Sequence, residues 1–444
     1  MTVAMKWLCL MCLALIVAGV AVQSHAGASV MPVIEAAPAD VAPANAVPAY
    51  AVNIVPVPVP EPSAEASRHY RSGIWLWIVS TLWAFALPAV IFFSGFSARL
   101  RNLALRLNRR WYFSLVIYLG LLACIWFLAD LPLDFYSDYI RPHAYGLSSQ
   151  TFGKWLKDAC LSLVLGIVGA ALIAWIPLLL VRRSPRRWWL YAWFAATPIM
   201  VFISFIEPIW VEPLFNQFGP MQDTVLEARI LKLAARAGVD ATDVYEVNKS
   251  VDTNELNAYV TGIGGSKRIV LWDTMLKQLS PAQVEVVMAH EMGHYVLLHV
   301  WNGLAAGTLS LLVALWIAHL SIAWLLPRVS RSSGVRELSD IAALPLLVLV
   351  LSTVAWLLSP PLLALSRHFE HEADRFGLEL THDNHACAML FVTYVQHDLS
   401  YPNPSPLVQF LRASHPSIAE RIDFCNSYHP WLQGAVERYS RHFK

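Results

Sequence analysis

The chain has 444 residues, 57% of them hydrophobic and 14% charged, and a formal net charge of +1. Ordinary soluble domains carry about 25% charged and about 45–50% apolar residues; the apolar excess here falls in blocks, which excludes a purely soluble globular protein and indicates an integral membrane protein. The absence of a basic domain argues against a nucleic-acid partner, and the 18 tryptophans suit a chain anchored at bilayer interfaces.

Residues 1–26 open with Lys6, an apolar core from Trp7 to Val22, and small residues at Ser24 and Ala26. This is the pattern of a secretory signal peptide, or alternatively of an uncleaved first membrane helix. Residues 27–72 are rich in Ala, Pro and Val ("PAYAVNIVPVPVPEPSAEAS") and read as an extended linker, because proline at this density opposes a packed helix or central strand. Four spans are expected within 73–210, at roughly 73–96, 112–133, 160–181 and 188–210, and two within 302–365, at 302–326 and 341–365.

Arginines punctuate the spans. The first connection carries Arg99, Arg101, Arg106, Arg109 and Arg110, the third Arg182, Arg183, Arg186 and Arg187, and the fifth Arg328, Arg331 and Arg336. The positive-inside rule assigns these three to the cytoplasm, so the polar regions 211–301 and 366–444 are expected on the opposite face of a bacterial inner (plasma) membrane. The signal-like start leads to the same orientation. Of the six cysteines, Cys9 and Cys12 lie in the N-terminal apolar stretch and Cys124 and Cys160 near later ones. Cys387 and Cys425 lie in polar sequence and are read as two free thiols in preference to a pair.

Within 211–301, Leu226, Ile230, Leu233 and Ala237 recur at helical spacing before a stop at Gly238. "DVYEVN" (243–248) reads as a strand, and "NAYVTG" (257–262) and "KRIVLW" (267–272) as two more joined through a glycine-bearing loop. "SPAQ" (280–283) predicts a helix start: Ser280 caps it, Pro281 takes the first position and Gln283 completes a capping box.

That helix carries "HEMGH". His290 and His294, four residues apart, rise about 6 Å and return to nearly the same face, so both imidazoles can reach one ion; Glu291 stands beside them, placed to take a proton from water. Catalytic zinc usually takes three protein ligands, and "SRHFEHEADRFGLEL" (366–380) offers the third. Glu370 can ligate, with Asp374 four residues on to hold a ligand histidine through its other nitrogen. His368 and His371 are rival ligands on spacing alone, and Glu372 is expected to face elsewhere.

The strings "GLSSQTFGKWLKD" (146–158), "EPLFNQF" (212–218), "NELNAYVTGIGGSKRIVLWDTML" (254–276), "HEMGHY" (290–295), "FEHEADRFG" (369–377) and "HPSIAERI" (415–422) stand in that order. Together they resemble the integral-membrane CAAX prenyl endopeptidases and, more distantly, the HtpX-type quality-control proteases, over residues 73 to about 425. The resemblance implies an all-α polytopic membrane protein with a small α+β zinc peptidase domain of the gluzincin (glutamate-ligand) type, assembled from 211–301 and 366–444. It implies one Zn2+ per chain held by His290, His294 and Glu370, Glu291 as general base and Asp374 in support. By the same likeness His415 lies near the reaction centre as an oxyanion donor, Arg421 braces the site, and the strand Asn257, Ala258, Tyr259 can pair with extended substrate backbone.

The expected activity is hydrolysis of peptide bonds in a peptide or membrane protein substrate at the lipid bilayer, CAAX prenyl protease-like or HtpX-like. A metal-free scaffold and a transporter are the non-enzyme alternatives. The intact set of His290, Glu291, His294, Glu370 and Asp374 opposes the first; the placement of most charges outside the spans opposes the second. Two departures from the family stand out: the signal-like start with its linker, and an arginine pattern that faces the catalytic domain outward where family members generally face the cytosol.

Overall fold

The computed structural model describes residues 55–261 and 268–444. The signal-like segment 1–26 and most of the expected linker lie outside the described residues. The described end of that linker departs from expectation. Val57 packs into the core of the peptidase domain, and its backbone N–H and carbonyl both bond the side-chain amide of Asn426, each at 2.9 Å. Helix α1 then begins at Ala64, inside the expected linker, and runs to Phe93. Ser63 caps it by accepting from the Ala66 N–H at 2.9 Å, a local signal hidden by the surrounding prolines.

Helix α2 (Phe96–Leu107) is amphipathic and short. Helix α3 (Trp111–Asp134) continues through a π-helical stretch to Ala144. Helices α4 (Phe152–Ile173) and α5 (Trp175–Arg183) form a third span, and α6 (Trp188–Ile206) bends into the residues up to Leu214. Among the described residues five helices are long and apolar enough to cross a membrane, six if the bent pair around Glu207 counts as one span. Five of the expected spans coincide with these five helices, and the fourth, 188–210, with the bent pair.

The polar half begins with β1 (Phe218–Pro220) and α7 (Thr224–Arg236), followed by β2 (Val244–Val247), β3 (Ala258–Thr261), β4 (Arg268–Trp272) and α8 (Asp273–Gln278). The sheet order is β1-β2-β4-β3, with β2 and β4 parallel and the outer pairs antiparallel. Ala258 lies opposite Leu271 and Tyr259 opposite Val270, so β3 forms one edge of the sheet. Helix α9 (Pro281–Val296) starts with the expected capping box. Leu298, in the left-handed conformation (φ 58), breaks it from α10 (His299–Ser333).

Helix α11 (Leu344–Thr381) returns as one continuous 38-residue rod, carrying the chain from the membrane bundle into the site. Helices α12 (Asn384–His397), α13 (Pro406–Arg412) and α14 (Ile418–Ser427) close the domain. Among the described residues the two large buried cores lie one among the membrane helices and one between the sheet, α9 and α12, with a small third cluster of Ala66, Leu147 and Leu399. Cys387 of α12 and Cys425 of α14 are 2% and 0% exposed and joined in a disulfide, which corrects the free-thiol reading. Their separation of 38 residues gives no hint that these two helices pack side by side, with Cα atoms 5.7 Å apart, a spacing a disulfide can bridge.

At 1.5 Å per residue the 35-residue α10 is about 52 Å long, more than a bilayer's hydrocarbon core. Its start adjoins the peptidase domain. Its far end, with the α1–α2, α5–α6 and α10–α11 connections, lies at the other end of the bundle. Arg101 of α2, Arg182 at the end of α5 and Arg336 between α10 and α11 line a single cavity there.

Candidate active site

Helices α9 and α11 cross closely enough to merge their chemistry, and two glycines permit it. A Cβ on Gly377 would lie 3.2 Å from the backbone nitrogen of His290; one on Gly293 would lie 3.1 Å from Cβ of Phe376. With both absent, the backbones approach and the carboxylates of α11 reach the imidazoles of α9. Gly377→Val should therefore destabilise the protein by about 1–3 kcal/mol, the usual cost of overpacking, and lower its metal content. Thermal unfolding and metal analysis of the purified variant check this; native stability with full metal content would refute the glycine argument.

One ligand atom each from His290, His294 and Glu370 lies within 4.8 Å of the others. His290 Nε2 is 3.0 Å from His294 Nε2 and 3.3 Å from Glu370 Oε2, and His294 Nε2 is 3.4 Å from Glu370 Oε1. Glu370 Oε2 is buried, with His290 Nε2 and His415 Nε2 at 3.3 and 3.2 Å but neither aligned for a hydrogen bond. A buried carboxylate oxygen without a donor is costly, and a cation among these atoms removes that cost. Two imidazoles and a carboxylate form a donor set that fits zinc.

Behind this centre, His290 Nδ1–H donates to Asp374 Oδ1 at 2.9 Å, which turns Nε2 toward the cluster. Arg421 grips Asp374 with both ends of its fork, Nε to Oδ2 at 2.8 Å and a terminal nitrogen to Oδ1 at 2.5 Å, and its guanidinium lies 4.3 Å from the centre of the Phe391 ring. His415 presents Nε2 to Glu370 Oε2 at 3.2 Å, while Ser414 Oγ lies 2.9 Å from its Nδ1. Burial holds the His415 imidazole below its ordinary pKa, against the pull of the Glu370 carboxylate. Burial also raises the Glu291 carboxyl above its ordinary value, which the neighbouring imidazoles offset only in part; a carboxylate moved toward neutrality is a stronger base.

The rivals of Glu370 lie elsewhere. His371 Nε2 lies 3.1 Å from a guanidinium nitrogen of Arg375, its ring against Phe424, and His368 is exposed. Glu372 turns away to Arg375, Arg438 and Tyr439.

Two contributors escaped the sequence reading. His299 Nδ1 lies 3.1 Å from His294 Nδ1, with its ring stacked on Phe369 at 4.5 Å, so it can accept from His294 and fix that ring's orientation. The interval of five residues from His294 was the available signal, masked because His299 opens an apolar span. The "EPLFNQF" string supplies a buried brace. Glu212 accepts from the Tyr259 hydroxyl, and Asn216 links Lys249 to Asp252, both at 2.6 Å. Lys154 of α4 reaches Asp252 at 2.6 Å, so this network ties the membrane bundle to the floor of the sheet. Asn257, Ala258 and Tyr259 lie at the sheet edge, where α9 packs alongside.

Residues 220–428 match the family model for peptidase family M48, and residues 49–217 match that for the CAAX prenyl protease N-terminal region, five membrane helices. The chain is 41% identical over 306 residues to the uncharacterized metalloprotease YhfN of Bacillus subtilis, an alignment covering 69% of this chain and 71% of that one. It is 28% identical over 320 residues to CAAX prenyl protease 1 of Saccharomyces cerevisiae, covering 69% and 70% of the two chains. The crystal structure of S. mikatae Ste24p superposes with a TM-score of 0.70 at 25% identity, covering 81% of this chain and 87% of that one.

Proposed function

We propose that this chain, which belongs to peptidase family M48, holds one zinc ion on His290, His294 and Glu370 and cleaves membrane-associated or strongly apolar substrates. It is an integral-membrane metalloendopeptidase of the CAAX prenyl protease type, and the relatives do not favour the HtpX-type alternative. The observation that carries the zinc assignment is the convergence of His290, His294 and Glu370 around the buried Glu370 Oε2, which no hydrogen bond satisfies.

Bound zinc supplies the Lewis acidity that makes water nucleophilic near neutral pH and polarises a carbonyl. The chain's own residues do the rest. Glu291 takes a proton from the attacking water as its oxygen bonds to the scissile carbonyl carbon. It passes that proton to the amine nitrogen as the C–N bond breaks. His415 donates an N–H to the oxygen that gains negative charge. Asp374 and Arg421 hold His290 in register, and the β3 edge at Asn257–Tyr259 offers backbone groups to an extended substrate strand.

The test uses full-length protein in vesicles with a membrane-anchored apolar peptide. Cleavage should disappear on chelation and return with zinc. Cleavage that survives chelation would overturn the metal dependence, and faster cleavage of a soluble polar peptide would overturn the substrate class.

We further propose that this centre faces away from the cytoplasm of a bacterial inner membrane. The convergence of Arg101, Arg182 and Arg336 on one cavity supports a common face for the three basic connections. The Cys387–Cys425 disulfide supports an oxidising compartment for the peptidase domain. That orientation disfavours prenylated cytosolic substrates. Alkaline phosphatase fused after Asn248 and after Phe443 should be active at both points; silent phosphatase with a bright cytoplasmic-type fluorescent reporter at the same points would return the site to the cytosol.

A further inference from the structure

The cavity at the end of the bundle remote from the zinc ligands has a volume of about 400 Å³ and belongs to no part of the peptidase chemistry. Its wall joins three helix ends: Leu105 of α2, Trp111 at the start of α3 and Arg182 at the end of α5. Arg336 and Asp340 close it from the segment before α11. Its charges are not self-compensating. Arg101 is spent on Asp340, and Glu337 accepts from the Ser339 hydroxyl at 2.9 Å. Among the described residues no carboxylate pairs with Arg182 or Arg336. The Arg182 guanidinium lies 5.1 Å from the centre of the Trp111 ring, a contact that orients it and leaves its N–H edge free.

We propose that this cavity binds the phosphodiester headgroup of an anionic membrane lipid, with Arg182 and Arg336 donating to the phosphate oxygens and Trp111 and Leu105 receiving the glycerol backbone and first acyl methylenes. Guanidinium forks match phosphate geometry. Tryptophan at a span end marks the headgroup level. The position separates a lipid from a soluble anion, since the cavity opens where three spans begin or end and Leu105, Trp111 and Ile341 give its wall an apolar part. The three connections around it carry twelve arginines against two acidic residues, Glu337 and Asp340, so the whole face concentrates anionic lipid. The inference rests on the membrane-spanning reading of the helices and not on the zinc assignment, so its failure would leave the peptidase intact.

The test uses full-length protein, delipidated in detergent and reconstituted into nanodiscs of phosphatidylcholine alone or with phosphatidylglycerol. Native mass spectrometry counts retained lipid, and thermal unfolding reports its effect. Wild type should retain phosphatidylglycerol and unfold at a higher temperature in its presence. R182A/R336A should lose retention by about 10- to 30-fold. The control R99A/R109A removes equal charge from the same face outside the cavity and should keep it. R182K/R336K, which preserves charge and helix ends, checks folding and should bind between the two. Equal retention in all variants would overturn the site in favour of diffuse charge. Saturation by inorganic phosphate, with phosphatidylglycerol retained no better than phosphatidylcholine, would overturn the lipid.

Discussion

Glu291→Gln should bind metal at the wild-type level and lose at least about 100-fold in peptidase turnover, the usual scale of a general-base contribution. Gln keeps the shape and the helix but cannot accept a proton from water. The ligand atoms of His290, His294 and Glu370 are supplied independently of residue 291, and His290 keeps its bond to Asp374. Loss of turnover with retained metal is thus the signature of a base, and joint loss of both would mark a residue that holds the fold. Turnover near wild type in a metal-replete Glu291→Gln protein would remove Glu291 from the chemistry. The same variant should hold substrate without cleaving it, so cross-linking in cells can capture the physiological substrate.

The parts of this site that could be read from sequence are those that depend on one helix at a time. The Ser280–Gln283 capping box and the four-residue interval between His290 and His294 are local, and the helix appears where those signals put it. Spans were legible because lipid demands long apolar runs. What stayed hidden needs two elements at once. Gly293 and Gly377 look like helix-weakening residues until the crossing of α9 and α11 shows what a Cβ would strike. Cys387 and Cys425 became a pair only when α12 and α14 lay together. His299 was hidden by the apolar run behind it, and the α1 start by the prolines before Ser63. The choice among Glu370, His368 and His371 lies on this border, because spacing allows all three and only the rotation of α11 against α9 selects one.

Glu370→Ala should reduce bound metal from about one ion per chain to trace levels and abolish activity, whereas His371→Ala should keep both. Glu370 sits on the face of α11 that Gly377 presses onto α9, with one carboxylate oxygen 3.3 Å from His290 Nε2 and the other 3.4 Å from His294 Nε2. His371, one residue on, is turned by about 100° and is spent on Arg375 and Phe424. Removing Glu370 leaves two imidazoles, too few for a catalytic zinc site with one open position. Asp374→Asn makes the intermediate case: His290 stays as a ligand but loses its anionic partner, and metal affinity should fall about 10- to 100-fold. Metal analysis and chelator competition on the three purified variants rank them. Full metal and turnover in Glu370→Ala, with both lost in His371→Ala or His368→Ala, would transfer the third ligand to a histidine and require α11 to rotate from the orientation that buries Glu370.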